Sequence, residues 1–487
     1  MLTAEKTILE PSLWAALCTA AALVALLVLI IRFKFQAFVA LIVVSLVMGL
    51  VAGMPPVQVV KAIGSGVGGI LGSVAIILAL GAILGRMLEA SGSAEAIARP
   101  LIDIFGIQRA SWAILIAAYL LGIPVLFNVG FLLLIPIMWR LQRDTGQSLL
   151  WFALPMSFSL GITHSLIPPH PGIIGAVGNM KGNMVETMIF GSMLGIPLVI
   201  VGWAIPARFW ASRQMVIVPP MAGAAVEAES DKEEESNEDK PLPSFWLVAA
   251  IVTLPLWLSL VGFSVDLLQR SESLPVWMTA PLLFEPGTVP AWLRIGTAPL
   301  AEWLLFLGQP MMALLIPTGA AFLFLGWRRG MVAGRLTQIA NTGLRDIGDL
   351  ALLFGAAGGF KEVIEQSGAG AYIAEQMIQL PLSPVLVAYL TAVLVRIALG
   401  SATAAILTAS ALLADMTTQM PGHTTVLILA VAVGVTFMTQ PADSGFWMVK
   451  EYINLNVKEV MLYFNGCRIF MSLTGVVILL IVEALLL

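Results

Sequence analysis

Residues 150–178 read LWFALPMSFSLGITHSLIPPHPGIIGAVG, an apolar stretch long enough to cross a membrane, with three prolines in the four positions 168–171. Each proline removes a backbone donor and clashes with the preceding turn, so no α-helix runs through Pro168-Pro169-His170-Pro171-Gly172. The stretch is therefore a span broken in its middle. At that depth an irregular backbone must lie against protein or a water-filled cavity, because lipid offers no hydrogen-bond partner.

The whole chain is consistent with this reading. Of its 487 residues 59% are apolar and 11% charged, with a mean hydropathy of +0.96. A soluble protein carries about 25% charged residues, so that class is excluded. The composition instead gives an all-α polytopic membrane protein of about ten full spans at roughly 20 residues each. Cys18 and Cys467 build no disulfide framework. The net charge of −4 says little about partners, since eight of the 29 acidic residues sit in one short run.

Basic residues mark the cytoplasmic side. The apolar run 13–31 is too long for a signal peptide and precedes Arg32 and Lys34, which places the N-terminus outside. Further spans are expected at about 36–53, 64–88, 150–178 and 184–205, and in the second half at about 243–263, 309–327, 347–366, 424–448 and 460–487. The apolar segment 111–139 is flanked by Arg109, Arg140 and Arg143. As a re-entrant hairpin it keeps these on one side. Each arm is then about 13 residues, roughly 20 Å, too short for a ~30 Å hydrocarbon core. A second hairpin is expected at 384–412, and a second broken span at 424–448. Trp277, Trp292 and Trp303 belong to an external loop lying on the interface.

The acidic segment 214–242 reads as a disordered cytoplasmic linker between a first membrane repeat, 1–213, and a second, 243–487. Two internal matches support the duplication. LEASGSAEAIA at 88–98 aligns with IEQSGAGAYIA at 364–374, and GITHSLIPPHPG at 161–172 with GVTFMTQPADSG at 434–445, at offsets of 276 and 273 residues. Five spans per repeat is an odd number, so the second repeat lies upside down relative to the first. The expected architecture is an inverted-topology repeat transporter.

Such transporters hold substrate and coupling ion near the midplane on broken helices. Four elements qualify: the tips Asn128-Val129-Gly130 and Gly400-Ser401-Ala402-Thr403, and the breaks carrying Pro169, His170 and Gly172 and carrying Asp443 and Ser444. Ionisable groups are costly at this depth, about 2.5–3.5 kcal/mol for Asp or Arg, so each one is informative. Arg396 can bind a carboxylate bidentately or snorkel to the interface. Asp443 can exchange a proton or cap the following helix. His170 and His164 titrate in the physiological range and join Asp443 as proton-coupling candidates. Glu89 and Glu365 read as helix ends. No H-E-x-x-H, G-x-S-x-G or G-x-x-x-x-G-K-[ST] occurs, and the histidines and cysteines form no metal cluster. The reading is therefore a non-enzyme with no metal, no cofactor and no nucleic-acid partner.

Over nearly its whole length outside the linker, the chain resembles the gluconate:proton symporter family. The resemblance rests on LGAILGRMLEASGSAEAIA at 80–98, FNVGFLLLIPI at 127–137 and HSLIPPHPG at 164–172. In the second half it rests on GAAGGFKEVIEQSGAGAYIA at 355–374, VRIALGSATAAILTAS at 395–410 and DSGFWMVKEY at 443–452. It implies proton-coupled uptake of a small organic anion, a sugar acid or related hydroxy acid, across a bacterial inner membrane. It also implies homodimers that move a transport domain against a scaffold. A sodium-coupled carboxylate transporter and an anion channel or uniporter of the same fold are the alternatives. The chain departs from the family pattern in two places: Asn128 stands where an acidic residue is usual, and Thr439-Gln440-Pro441-Ala442 where S-H-V-N is usual.

Overall fold

The computed structural model describes residues 10–218, 242–271, 273–280, 298–379, 382–399, 401–420, 422–440 and 443–486. The acidic run and Trp292 lie outside the described residues, as does Gly400, while Trp277 is exposed and Trp303 half-buried. Among the described residues the chain is helical, with no strand.

The helices used below are α1 (Leu13–Ile31), α2 (Ala37–Val51), α3 (Pro56–Ala90), α4 (Ser93–Phe105), α5 (Ala110–Gly122), α6 (Phe127–Thr145), α7 (Leu150–Leu166), α8 (Pro171–Asn179) and α9 (Met184–Gly202). The second half supplies α10 (Phe245–Arg270), α11 (Leu300–Gly308), α12 (Pro310–Ala320), α13 (Ala333–Asp346), α14 (Gly348–Gln366), α15 (Ala369–Gln379), α16 (Pro384–Leu399), α17 (Ala402–Leu412), α18 (Thr424–Val435), α19 (Ser444–Tyr452) and α20 (Asn465–Leu486). Helices close every backbone hydrogen bond within one segment, which is what lipid demands. Among the described residues five helices, the broken span α7–α8 counted as one, are long and apolar enough to cross a membrane, or up to seven if each bent pair counts as one. The outward faces of the apolar helices, long and short, carry exposed Trp14, Val24, Val47, Trp257 and Ile481. With lipid as the solvent, such faces need no protein cover.

Several boundaries differ from the sequence reading. α3 begins at Pro56 rather than near 64, because a proline at the first helical position costs no hydrogen bond. The first hairpin candidate breaks at 123–126, not at 128–130. Pro124 lacks a donor and restricts Ile123, so α5 stops there, and Asn128-Val129-Gly130 form the first turn of α6. The second breaks at the expected tip, between α16 and α17. α7 and α8 are separated at 167–170, while α18 ends at Val435, so the second break starts earlier than the sequence suggested.

The packing is reciprocal. α5 lies on α7 and α16 lies on α18, so each hairpin arm covers the first part of its own broken span. The second parts are exchanged, with α8 against α17 and α19 against α6. α3 and α14 form the largest helix contact, crossing at Gly66 and Gly358, where any Cβ would strike the opposite backbone or side chains. Both end in the same turn, with Gly92 at φ 74° and Gly368 at φ 73° in the left-handed region that favours glycine. Glu89 pairs with Arg86 and Glu365 with Lys361 at these ends. The broken span α7–α8 has 89% of its apolar window enclosed, against 39–44% for the other four long helices. The centre of the molecule is therefore built around it.

Candidate functional site

At that centre, a cavity of about 260 Å³ is bounded by the start of α6, the end of α7, the start of α17, the second break and the start of α20. Its polar lining comprises Asn128, His164, Ser165, Arg396, Ser401, Thr403, Thr439, Asp443 and Arg468. Six of these, Asn128, His164, Arg396, Ser401, Thr403 and Asp443, are site candidates from the sequence, and the fold brings all six to one place.

Arg396 sits in the last turn of α16 and is 1% exposed, so it does not snorkel. Its Nε donates to Met438 O at 2.7 Å, and its Nη2 contacts Asp443 Oδ2 at 2.7 Å. The other Asp443 oxygen, Oδ1, accepts the Gly445 N–H at 2.9 Å and caps α19. The cap and the charged role, alternatives in the sequence, are thus held by different oxygens of one carboxylate. A substrate carboxylate would have to compete with Asp443 for the Arg396 fork.

The second break is fixed by side chains. Asn465 donates to Thr439 O and accepts from Thr439 N, at 2.8 and 2.9 Å. Gln440 donates to the carbonyls of Arg396 and Ile397 at the end of α16. These bonds replace the helical ones, which explains why the helix stops as early as Val435.

His170 takes a different position from the one expected. It is buried away from the cavity, and its Nε2 lies 2.5 Å from Gly122 O, an orphan carbonyl at the end of α5. A carbonyl only accepts, so Nε2 carries the proton, and neutral His170 then has an accepting Nδ1. That atom lies 3.2 Å from His164 Nδ1, which must donate. His164 Nε2 is left as an acceptor with no hydrogen bond, on a residue that lines the cavity. Along α7 only Trp151 and His164 are not buried.

The remaining sequence candidates have packing positions. Val129 and Pro169 line a separate small recess against α3, with Gly81, Gly85 and His170. At Gly130 a Cβ would meet Leu160 Cδ2 at 2.8 Å, and at Gly172 it would meet Ile406 Cγ2 at 3.1 Å. These glycines admit neighbouring helices. Ser401 caps α17, accepting from Ala404 N at 3.4 Å. The side chain of Ser444 lies outside the described residues.

Sequence reasoning missed Arg468, which lies in the first turn of α20 and is 8% exposed. Its Nε is enclosed with no hydrogen-bond partner, and its guanidinium carbon lies 5.6 Å from the Phe464 ring centroid. A signal was available, since an arginine inside the last apolar run is a site candidate by default.

Broken helices, paired hairpin candidates and a charged central cavity define an all-helical membrane transporter. The same fold is seen in the MtrF efflux pump of Neisseria gonorrhoeae, with a TM-score of 0.59 at 14% identity over 90% of this chain and 93% of that one. The chain belongs to the GntP permease family, matching "GntP family permease" over residues 14–485, and is a permease rather than an enzyme. It is 32% identical to the gluconate permease of Pseudomonas aeruginosa, over 95% of this chain and 96% of that one. It is 34% identical to the high-affinity gluconate transporter of Escherichia coli, over 93% and 95%.

Proposed function

We propose that this permease is a proton-coupled symporter of a small organic anion of the sugar-acid class. We picture it as a homodimer of inverted-repeat protomers in a bacterial inner membrane, as the family resemblance implies. Gluconate, carried by the relatives, is the first substrate to test. The observation that carries the coupling is the open nitrogen of His164. Protonation at Nε2 keeps the Nδ1–H bond to His170 and adds a positive charge beside the cavity. Asp443 is a poorer carrier, because protonating it breaks the pair with Arg396, and both nitrogens of His170 are already used. The charged groups sharing the cavity with His164 are Arg396, Asp443 and Arg468. A substrate carboxylate there favours the imidazolium, and the imidazolium favours the carboxylate, so the two bind cooperatively.

The test is gluconate uptake into proteoliposomes holding the purified protein, with the pH or sodium gradient imposed separately. An acid-outside gradient should drive accumulation above equilibrium, and a sodium gradient alone should not. Accumulation driven by sodium, or flux that never exceeds equilibrium under either gradient, would overturn the reading.

A further inference from the structure

The cavity lining holds three full charges, Arg396, Asp443 and Arg468, and two of them cancel in the 2.7 Å pair. Arg468 remains. It is more than nine-tenths buried, its Nε has no partner, and none of its nitrogens makes a hydrogen bond or ion pair among the described residues. Contact with the face of Phe464 compensates a guanidinium only in part. A buried cation left in this state costs stability unless something anionic completes it. No acidic side chain other than the already paired Asp443 lines the cavity among the described residues.

We propose that Arg468 is the anchor for the substrate carboxylate, and that its single uncompensated charge makes the site selective for monocarboxylates. This rests on the transport reading above, and deepens it by naming the recognising group and the charge rule. The planar fork presents two donors to one carboxylate. The rest of the cavity suits hydroxyl groups: His164 Nε2 accepts while neutral and donates once protonated, and the Asn128 and Thr403 side chains carry both donor and acceptor atoms. A second carboxylate on the ligand would find Arg396 already matched by Asp443 and would share the cavity with the Asp443 charge. Diacids of the same chain length are therefore disfavoured by repulsion from Asp443 and by the lack of a second free guanidinium beside Arg468. Gly161 keeps the guanidinium in place, since a Cβ there would stand 3.1 Å from Arg468 Nη1.

The experiment measures equilibrium binding to the full-length protein in lipid nanodiscs. The probes are gluconate, shorter hydroxy monocarboxylates, the six-carbon sugar diacid and gluconamide, with thermal unfolding of the ligand-free protein in parallel. Arg468→Gln should weaken monocarboxylate binding about 30-fold or more. It should also raise the unfolding temperature of the empty protein, because it removes an uncompensated buried charge. Arg468→Lys keeps the charge without the fork and should fall between the two. Gly161→Ala, which displaces the guanidinium, should weaken binding several-fold. In the wild type, the diacid and the amide should each bind at least tenfold more weakly than gluconate. The proposal is overturned if Arg468→Gln binds within threefold of wild type. It is also overturned if that variant is less stable when empty or fails to fold, or if the diacid binds as well as the monoacid. If gluconate fails to bind but another monocarboxylate binds through Arg468, the anchor stands and only the sugar-acid reading falls.

Discussion

At 167–170 the chain breaks over four residues, all buried, with no ionised group. The second break lies between Val435 and Ser444, and of its described residues, 436–440 and 443, Thr439 and Asp443 line the cavity. The first break is stiffened by its own prolines and latched to α5 through His170 and Gly122 O. The second has no such stiffening among its described residues, and Arg396, Gln440 and Asn465 hold it from outside. Elements in matching positions of the two halves have thus taken separate tasks. One forms a wall that orients a histidine. The other carries charge and is held by side chains of neighbouring elements. In a carrier that must bind and release, the side-chain-held break is the one able to respond to a ligand.

This contrast predicts unequal sensitivity. Arg396→Ala strands Asp443 and the Met438 carbonyl in the interior, and should cost about 3–5 kcal/mol of stability. His170→Ala leaves one carbonyl and one imidazole nitrogen unsatisfied and should cost about 1–3 kcal/mol. Denaturant unfolding in nanodiscs would compare them. Equal losses would remove the distinction between charged and latched breaks.

Asn465→Ala should cost about 1–3 kcal/mol by freeing both backbone groups of Thr439, and should weaken gluconate binding as well. The His170 variant should affect binding less, since His170 does not line the cavity. Asp443→Asn keeps an oxygen to cap α19 but releases Arg396 as a second cation. The diacid should then gain relative to the monoacid by about tenfold, roughly 1.4 kcal/mol, in competition binding. An unchanged ratio would mean the pair does not set the charge rule. The smallest effect is expected at Gly130→Ala. The flexible end of Leu160 can give way to the added methyl, so the loss should stay within about 1 kcal/mol, measured by the same unfolding assay.

Much of this was legible because membrane burial makes exceptions conspicuous. Three prolines in four residues announce a break, and Asp443 and Arg396 stand out in apolar surroundings. The pairing of those two residues was not legible. It depends on a hairpin arm reaching a break 47 positions away, a distance that no local pattern encodes. The alignment of His170 with Asp443 suggested matching roles, but a neutral imidazole can serve a helix end where a carboxylate serves an arginine. Arg468 was readable in principle. It lay in a run that looked like a plain last span, and only the packing of α20 beside the second break gives that arginine a cavity to face.

The central claim is that His164 carries the proton while the first break merely presents it. In His164→Asn the amide nitrogen replaces the Nδ1–H donor to His170, but nothing remains to titrate at Nε2. Purified His164→Asn in proteoliposomes should exchange labelled gluconate across the membrane at equilibrium, yet fail to accumulate it under an acid-outside gradient. Accumulation by this variant at the wild-type level would contradict the account.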